Sequence, residues 1–397
     1  MKSKQLVQLL VIVVVLVVIG LLVRQRQQRD WSDSGVAVGQ PILKEFPLND
    51  VTSFTIEDDE QRVKLHKPAD EWRVASRYDY PADFEKISKF LINVSQLKVT
   101  QTVAAGESQY GRLNLLPPGA EGAGKGTRVV FRRKADDGKI ATLILGKEHM
   151  AGGDGGGRQW PNGRYVRAPE SETIALVSET FSAVKTDPQV WLDKDFVKIS
   201  DPRMCKLENA DGALWTLVQG EGGDSLTLKG LEEDETAKDS AVRGVANAFG
   251  YGGFADVADP EMGPEKTGLN EALVYTALAD DGIEYTLRIG DQDDDGKYYV
   301  TASARYAGSE KREPAEDESE EDKAKKDQEF AEKLAETREK VEELQSRLDG
   351  WVYLVDSFKI KKIVDKERSD FVEKPETEED NGKDAPAETP PAPATAE

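Results

Sequence analysis

The sequence predicts an α+β protein: an N-terminal transmembrane helix, then two repeated domains of short antiparallel strands packed on a helix, a charged helical insertion and a disordered acidic tail. Three observations predict it. Residues 6–23 form an apolar stretch, a dodecamer recurs at an offset of 144 residues, and two late segments carry most of the excess acid.

The apolar stretch comes first along the chain. Sixteen of its 18 residues are Leu, Ile or Val, interrupted by Gln8 and Gly20. As a helix rising ~1.5 Å per residue it spans roughly 27 Å, close to the hydrocarbon thickness of a bilayer. A secretory signal would have a shorter apolar region and a small-residue cleavage site close behind it. Here Arg24, Arg26 and Arg29 follow instead, and the nearest small-x-small triplet is Gly35-Val36-Ala37. The expectation is therefore an uncleaved single-pass anchor in the cytoplasmic (inner) membrane, touching lipid through residues 6–23. Lys2 and Lys4 nearly balance the arginines, so flanking charge orients it weakly. A stub of residues 1–5 is easily kept in the cytoplasm, which places the bulk of the chain outside it, in a periplasmic setting.

After a linker over 24–43, duplication organises the body. Ala135-Asp136-Asp137-Gly138 through Thr142-Leu143 to Gly146 recurs as Ala279-Asp280-Asp281-Gly282 through Thr286-Leu287 to Gly290, seven identities in twelve. Lys64-Leu65 and Trp72 recur as Lys206-Leu207 and Trp215, and Tyr110-Gly111 resembles Thr267-Gly268. Such self-similarity marks repeated structural units, here residues 44–197 and 198–373.

Within the first copy, 51–57, 62–66 and 72–75 are short β-prone runs. Residues 83–97, entered through Pro81, read as a helix with Phe84, Ile87, Leu91, Val94 and Leu97 on one stripe. Residues 127–133 and 140–145 flank an Asp-Asp-Gly turn, a hairpin signal, because Asp and Gly tolerate the positive φ of tight turns. The second copy repeats the helix over about 236–249 and the hairpin over 273–278 and 284–289. Trp72 and Trp215, at one repeat position, are expected in the core.

The insertion over about 310–348 has no counterpart in the first copy. It holds 15 acidic and 9 basic residues, with Glu-to-base pairs four apart (Glu329–Lys333, Glu336–Lys340, Glu343–Arg347) that support a helix. Leu334, Val341 and Leu348 recur at seven, beside Phe330 and Leu344, a short coiled-coil-like stripe. The expectation is a charged protruding arm, with a partner-docking helix as the alternative. The tail over 374–397, rich in Pro, Ala, Glu and Thr, is expected to be disordered.

Composition limits the function. In 397 residues, 53 basic and 75 acidic side chains leave a net charge of −22, which disfavours a nucleic-acid partner, since such binding rests on Lys and Arg neutralising phosphates. A lone Cys205 excludes an intrachain disulfide, and two histidines, His66 and His149, offer little for a zinc site.

Four near-motifs fall short of a reaction. The glycine-rich run 119–126 has the spacing of a phosphate-binding loop, but Gly126 stands where a hydroxyl should ligate magnesium and a β-type run follows, so it reads as a flexible loop. Ser182 and Lys185 with Lys266-Thr267-Gly268 mimic a penicillin-binding pattern that lacks its middle element. Asp291, Asp293 and Asp295, before Gly296, match half of a calcium loop, but Ala302 replaces the closing bidentate Glu. They constitute a weak calcium-site expectation against a solvated turn. The glycine run 152–157 reads as a loop insertion. No cofactor and no catalytic residue is expected.

Trp72-Arg73-Val74, Tyr80-Pro81-Ala82-Asp83 opening a helix, Tyr110-Gly111, Leu145-Gly146, Tyr165-Val166 and Ala175-Leu176-Val177, behind an anchor, resemble the bacterial family called domain of unknown function 4340. The likeness covers 44–197 well and the second copy more weakly. It implies a membrane-tethered extracytoplasmic protein, of a kind often encoded beside ABC-type export permeases and a gliding-motility auxiliary protein, and supplies no catalytic residues. Two functional expectations follow: a non-enzymatic accessory or scaffold subunit of an ABC-type envelope transport system, partnered by a permease or an auxiliary envelope protein, or an envelope module for glycan or another polymer, with Trp160, Tyr165, Tyr298 and Tyr299 as contacts.

Overall fold

The computed structural model describes residues 37–373 apart from 134–137, 153–158, 172, 221, 224 and 316–317. The anchor expected at 6–23 and the tail over 374–397 lie outside the described residues. Among those described, no helix is long and apolar enough to cross a membrane. The chain forms two compact units. One runs to Asp195 and takes in Ala255–Glu261; the other comprises Phe196–Phe254 and the chain from Met262.

The first unit is built on β1 (Val51–Glu57), β2 (Arg62–His66), β3 (Arg73–Val74), β4 (Tyr80–Pro81), β5 (Val99–Thr102), β6 (Thr127–Arg133), β7 (Lys139–Ala151), β8 (Trp160–Ala168) and β9 (Thr173–Val177). They form one sheet in the order β4-β3-β2-β1-β6-β7-β8-β9-β5. Alternation decides its inner face: Phe54, Ile56, Val129, Phe131, Leu143 and Val166 are buried. Helix α1 (Phe84–Ser95) supplies Ile87, Phe90, Leu91 and Val94 to the core. Its first turn is capped by Asp83, whose carboxylate accepts from the Lys86 N–H at 2.9 Å. The expected stripe needs one correction. Phe84, at the first helical position, is 67% exposed, and Phe90 takes the inward place, 5.4 Å from the Phe54 ring. The end of the expected linker is drawn in as well: Ile42 is buried, and its N–H donates to Leu97 at 2.9 Å.

Residues 255–261 join this unit for a local reason. The buried Asp256 carboxylate accepts from Arg77 at 2.7 Å and from Gln189 at 2.8 Å, so β14 (Asp256–Val257) arrives with a charge that needs those donors.

The second unit contains β10 (Pro202–Asn209), β11 (Gly212–Gln219), β12 (Leu226–Leu228), β15 (Leu273–Ala279), β16 (Ile283–Gln292), β17 (Tyr298–Tyr306) and β18 (Tyr353–Val355), hydrogen-bonded in the order β12-β11-β10-β15-β16-β17-β18. That is the order β3-β2-β1-β6-β7-β8-β9 of the first unit, strand for strand. Hairpin β15–β16 turns through Gly282 at φ 81°, as its Asp-Asp-Gly sequence requires; the first copy's turn falls among residues not described. The expected helix over 236–249 is shorter. It is α2 (Asp239–Ala246), because Thr236–Ala237 is a strand, β13, paired with β19 (Val372–Glu373). Trp72 and Trp215 are buried in their units.

A short α3 (Pro264–Thr267) precedes β15. The charged insertion forms α4 (Glu320–Leu348), and α5 (Ser357–Val364) follows β18. Ser319 caps α4 by accepting from the Asp322 N–H. The helix is neither a free arm nor a coiled coil. β18 pairs with only Tyr298–Val300 of β17, leaving the rest of that strand an open edge. The C-terminal half of α4 packs on β17, buries Val341 and Leu348, and extends the Gln345 side chain to accept the Ala304 N–H at 2.8 Å. Val341 and Leu348 of the apolar stripe are thus spent inside the unit, while Phe330, Leu334 and Leu344 stay half-buried.

Candidate functional site

The expected calcium ligands are not gathered. Among the described residues, no group of three or more His, Cys, Asp or Glu is placed to hold a metal ion. Asp293 accepts instead from the Asp295 N–H at 3.0 Å and the Lys297 N–H at 2.7 Å, as a turn does. The Lys297 ammonium sits 3.1 Å from Asp295, whose carboxylate holds it above the ordinary lysine range. Asp291 lies against Gly268. A lysine therefore supplies the cation the turn needs.

The other near-motifs have structural explanations. The glycine run is tied down: Asp59 pairs with Lys125 at 2.6 Å and accepts from the Gly119 N–H at 2.9 Å, bonds that hold its pKa below the usual aspartate value. Thr267 is fully buried, with its hydroxyl turned to backbone carbonyls. Cys205 is buried in the second core, where desolvation pushes its thiol up to about 12, and it accepts from the Tyr275 hydroxyl. Trp160 is 58% exposed on β8 of the first unit, and Tyr165 lies edge-on to His149 there. Tyr298 and Tyr299 belong to β17 of the second. The four expected aromatic contacts are thus divided between the units.

Two glycines at equivalent places in the units serve close backbone approach. A Cβ on Gly146 of β7 would come closer than 3.0 Å to the Leu113 carbonyl, and one on Gly290 of β16 closer than 3.0 Å to the Thr267 carbonyl. In each unit a short helical segment, Glu107–Leu113 or Pro264–Thr267, lies so near the sheet that only glycine fits beneath it.

What sequence reading did not single out is a cationic cleft on the face of the first sheet turned away from α1. Its volume is about 450 Å³ and its walls carry Arg62, Arg128, Arg132, Arg167 and Lys139 against Glu57 and Glu170. Strand register assembles it. Glu57 faces Arg62 on β2 and Arg128 on β6; Arg128 faces Ile144 on β7, and Ile144 faces Arg167 on β8. One cross-strand row therefore reads Arg62, Glu57, Arg128, Ile144, Arg167. Thr55, Val130 and Thr142 form the next row, and Arg132 opposite Lys139 the third. Thr55, Thr142 and Ile144 are buried at the floor.

Charges in the cleft are partly compensated. Glu57 accepts from Arg128 and lies 3.6 Å from Arg62. Glu170 pairs with Lys139 at 2.9 Å and accepts from the Thr142 N–H at 3.2 Å. Burial pushes the Glu170 carboxyl up, but these hydrogen bonds outweigh it and leave it below its ordinary value. Arg167 stacks on Tyr110, its guanidinium carbon 4.2 Å from the ring centre, while its buried Nε has no hydrogen-bond partner among the described residues. Period-two alternation on β6 and β8 places these arginines on one face, but only the pairing register shows that they share a row.

The model of the domain of unknown function DUF4340 matches residues 72–272. The chain belongs to this family. The match begins at Trp72 and continues past the first copy into the second, so it takes in Gly111 and Gly146 as well as Arg128, Arg132, Lys139 and Arg167, while Glu57 and Arg62 precede it. No curated protein and no solved structure matches the chain.

Proposed function

We propose that this DUF4340 protein is a membrane-tethered, extracytoplasmic accessory or scaffold subunit of an ABC-type envelope transport system, without catalysis of its own. The observation that carries the reading is the stretch 6–23, with 16 of 18 residues Leu, Ile or Val and Arg24, Arg26 and Arg29 closing it. A helix of that length and composition is a stable single-pass tether in the inner membrane. The family resemblance adds the association with export permeases. We also read the two units as copies of one ancestral domain. Their equal strand order and the equivalent glycines 146 and 290 support this. The tether then presents two related sheet surfaces to its partners.

Purification of the tagged full-length chain in a mild detergent, followed by mass spectrometry, tests the proposal. An ABC-type permease or auxiliary envelope protein is expected to co-purify in comparable yield. Recovery of the chain alone, or its release from vesicles by alkaline carbonate, overturns it.

A further inference from the structure

We propose that a second cleft of the first unit, between residues 42–47 and the inner face of its sheet, is a binding site for the acyl chain and carboxylate of a fatty acid. This goes beyond the accessory reading and stands or falls separately from it.

Packing is the first argument. On the inner face Phe131 of β6 stands opposite Ala141 of β7. The second unit reverses this pair and sets Ala277 opposite Tyr285. Tyr285 is buried there, at the place in the repeated dodecamer that Ala141 holds in the first unit. Phe131 packs among the rings of Phe46, Phe54 and Phe90, so bulk sits on β6 and the space over Ala141 and Ala168 is left open. A cleft of about 410 Å³ results, within the ~300–1,000 Å³ of small-ligand sites.

The chemistry of the walls is the second argument. Ile42, Leu43, Pro47, Ile140, Ala141 and Ala168 supply aliphatic surface. The one ring on the cleft, Phe46, is already engaged edge-on with Phe131, centroids 5.1 Å apart. Without a free ring face to stack on, a flat aromatic ligand gains little, whereas each methylene of a flexible chain gains by leaving water.

Charge is the third argument, and it selects the head group. Lys44 and Arg133 line the cleft as exposed side chains, and neither makes an ion pair among the described residues. Glu170, also on the wall, is matched by Lys139 at 2.9 Å, and the exposed Glu45 offsets one of the two cations. One positive charge is left over. A single carboxylate balances it, a phosphate dianion exceeds it, and the arginine fork accepts a carboxylate through paired N–H bonds.

The test uses the full-length chain reconstituted in phosphatidylcholine nanodiscs, which carry no net charge, and a photoactivatable diazirine analogue of palmitate. Irradiation and peptide mapping should place saturable cross-links within 42–47 or at 140–141, and dodecanoate should displace the probe where dodecyltrimethylammonium does not. Ala141→Tyr puts the second unit's side chain into the cleft and should abolish the labelling. Lys44→Gln and Arg133→Gln should each raise the probe concentration for half-maximal labelling about threefold, as loss of an exposed charge pair does. Arg305→Gln, on an exposed arginine of the second unit paired with Glu284, should leave it unchanged. Should Ala141→Tyr lose the native circular dichroism, the double variant Lys44→Gln/Arg133→Gln, which alters only exposed side chains, should show a rise of about tenfold. Cross-links confined to other segments, undiminished labelling of a folded Ala141→Tyr chain, or equal displacement by the cationic amphiphile overturns the proposal.

Discussion

The two units share a strand order and differ in how they finish it. In the first, β8 leads to β9 through a short turn, and Arg164–Ala168 pairs with β9. In the second, the equivalent connection runs from the end of β17 to β18 through the charged insertion, and β18 covers only three residues of β17. A helix takes over the remaining edge. The outer faces differ too. Where β6 places Arg128 and Arg132, β15 places Val274 and Leu278 at the equivalent positions of the pairing register; opposite Ile144 stands Arg167, and opposite its equivalent Arg288 stands Thr301. The buried alternation and the two glycines under the helical turns stay alike. Packing holds the inner face to one solution, while solvent leaves the outer face open to a separate use.

The largest expected effect tests the substitute edge cover. Leu348→Ala removes a buried anchor of α4 and should cost about 2–5 kcal/mol in urea unfolding. A loss below about 0.5 kcal/mol would mean that the helix does not stabilise the second unit. Next comes the shared glycine approach. Gly146→Ala and Gly290→Ala should each cost about 1–3 kcal/mol by overpacking against a carbonyl, and a neutral result at one of them would break the equivalence of the units there.

Helix α1 has the Asp83 cap, whereas Lys238, before α2, makes no side-chain cap bond. Asp83→Ala should therefore lower stability by about 1 kcal/mol, and Lys238→Ser should raise it by a smaller amount; thermal melts compare the two directly.

The smallest effect concerns acid. The β1–β2 turn is held by Asp58, which accepts from the Glu60 and Gln61 N–H groups and from Thr186. The equivalent β10–β11 turn is held by Asn209, which accepts from the Asp211 and Gly212 N–H groups and cannot titrate. Burial raises the Asp58 value, but its hydrogen bonds outweigh that and hold it below the 3.8 of an ordinary aspartate. Its contribution is then complete above pH 3.8 and disappears as pH falls through the lower folded value. Urea midpoints measured down that range should fall less steeply for Asp58→Asn than for the parent chain. Parallel slopes would remove Asp58 from the acid response.

Much of this architecture is legible in the residues. Val51–Glu57 and Arg62–His66 have the bounds expected from their composition, since short β-prone runs between turn residues have few alternatives. Asp280-Asp281-Gly282 names its own hairpin. Phe84 is misread because a 3.6-residue period gives direction around a helix and says nothing of where the sheet beneath it ends. The stripe on α4 is legible as apolar, but not as destined for β17, because an uncovered edge arises only once β18 has stopped short. The aspartates of 291–295 match a ligand spacing that the turn spends on its own N–H groups and on Lys297.

The amino-acid sequence by itself determined the apolar segment, the excess of acid, the repeat and the inward alternation of each strand, all of which depend on neighbours along the chain. Tertiary structure alone decided the cationic cleft. Arg62, Arg128 and Arg167 are far apart in sequence and come from strands that each look ordinary. Pairing register is a property of two chain segments at once, and it sets those three charges in one row.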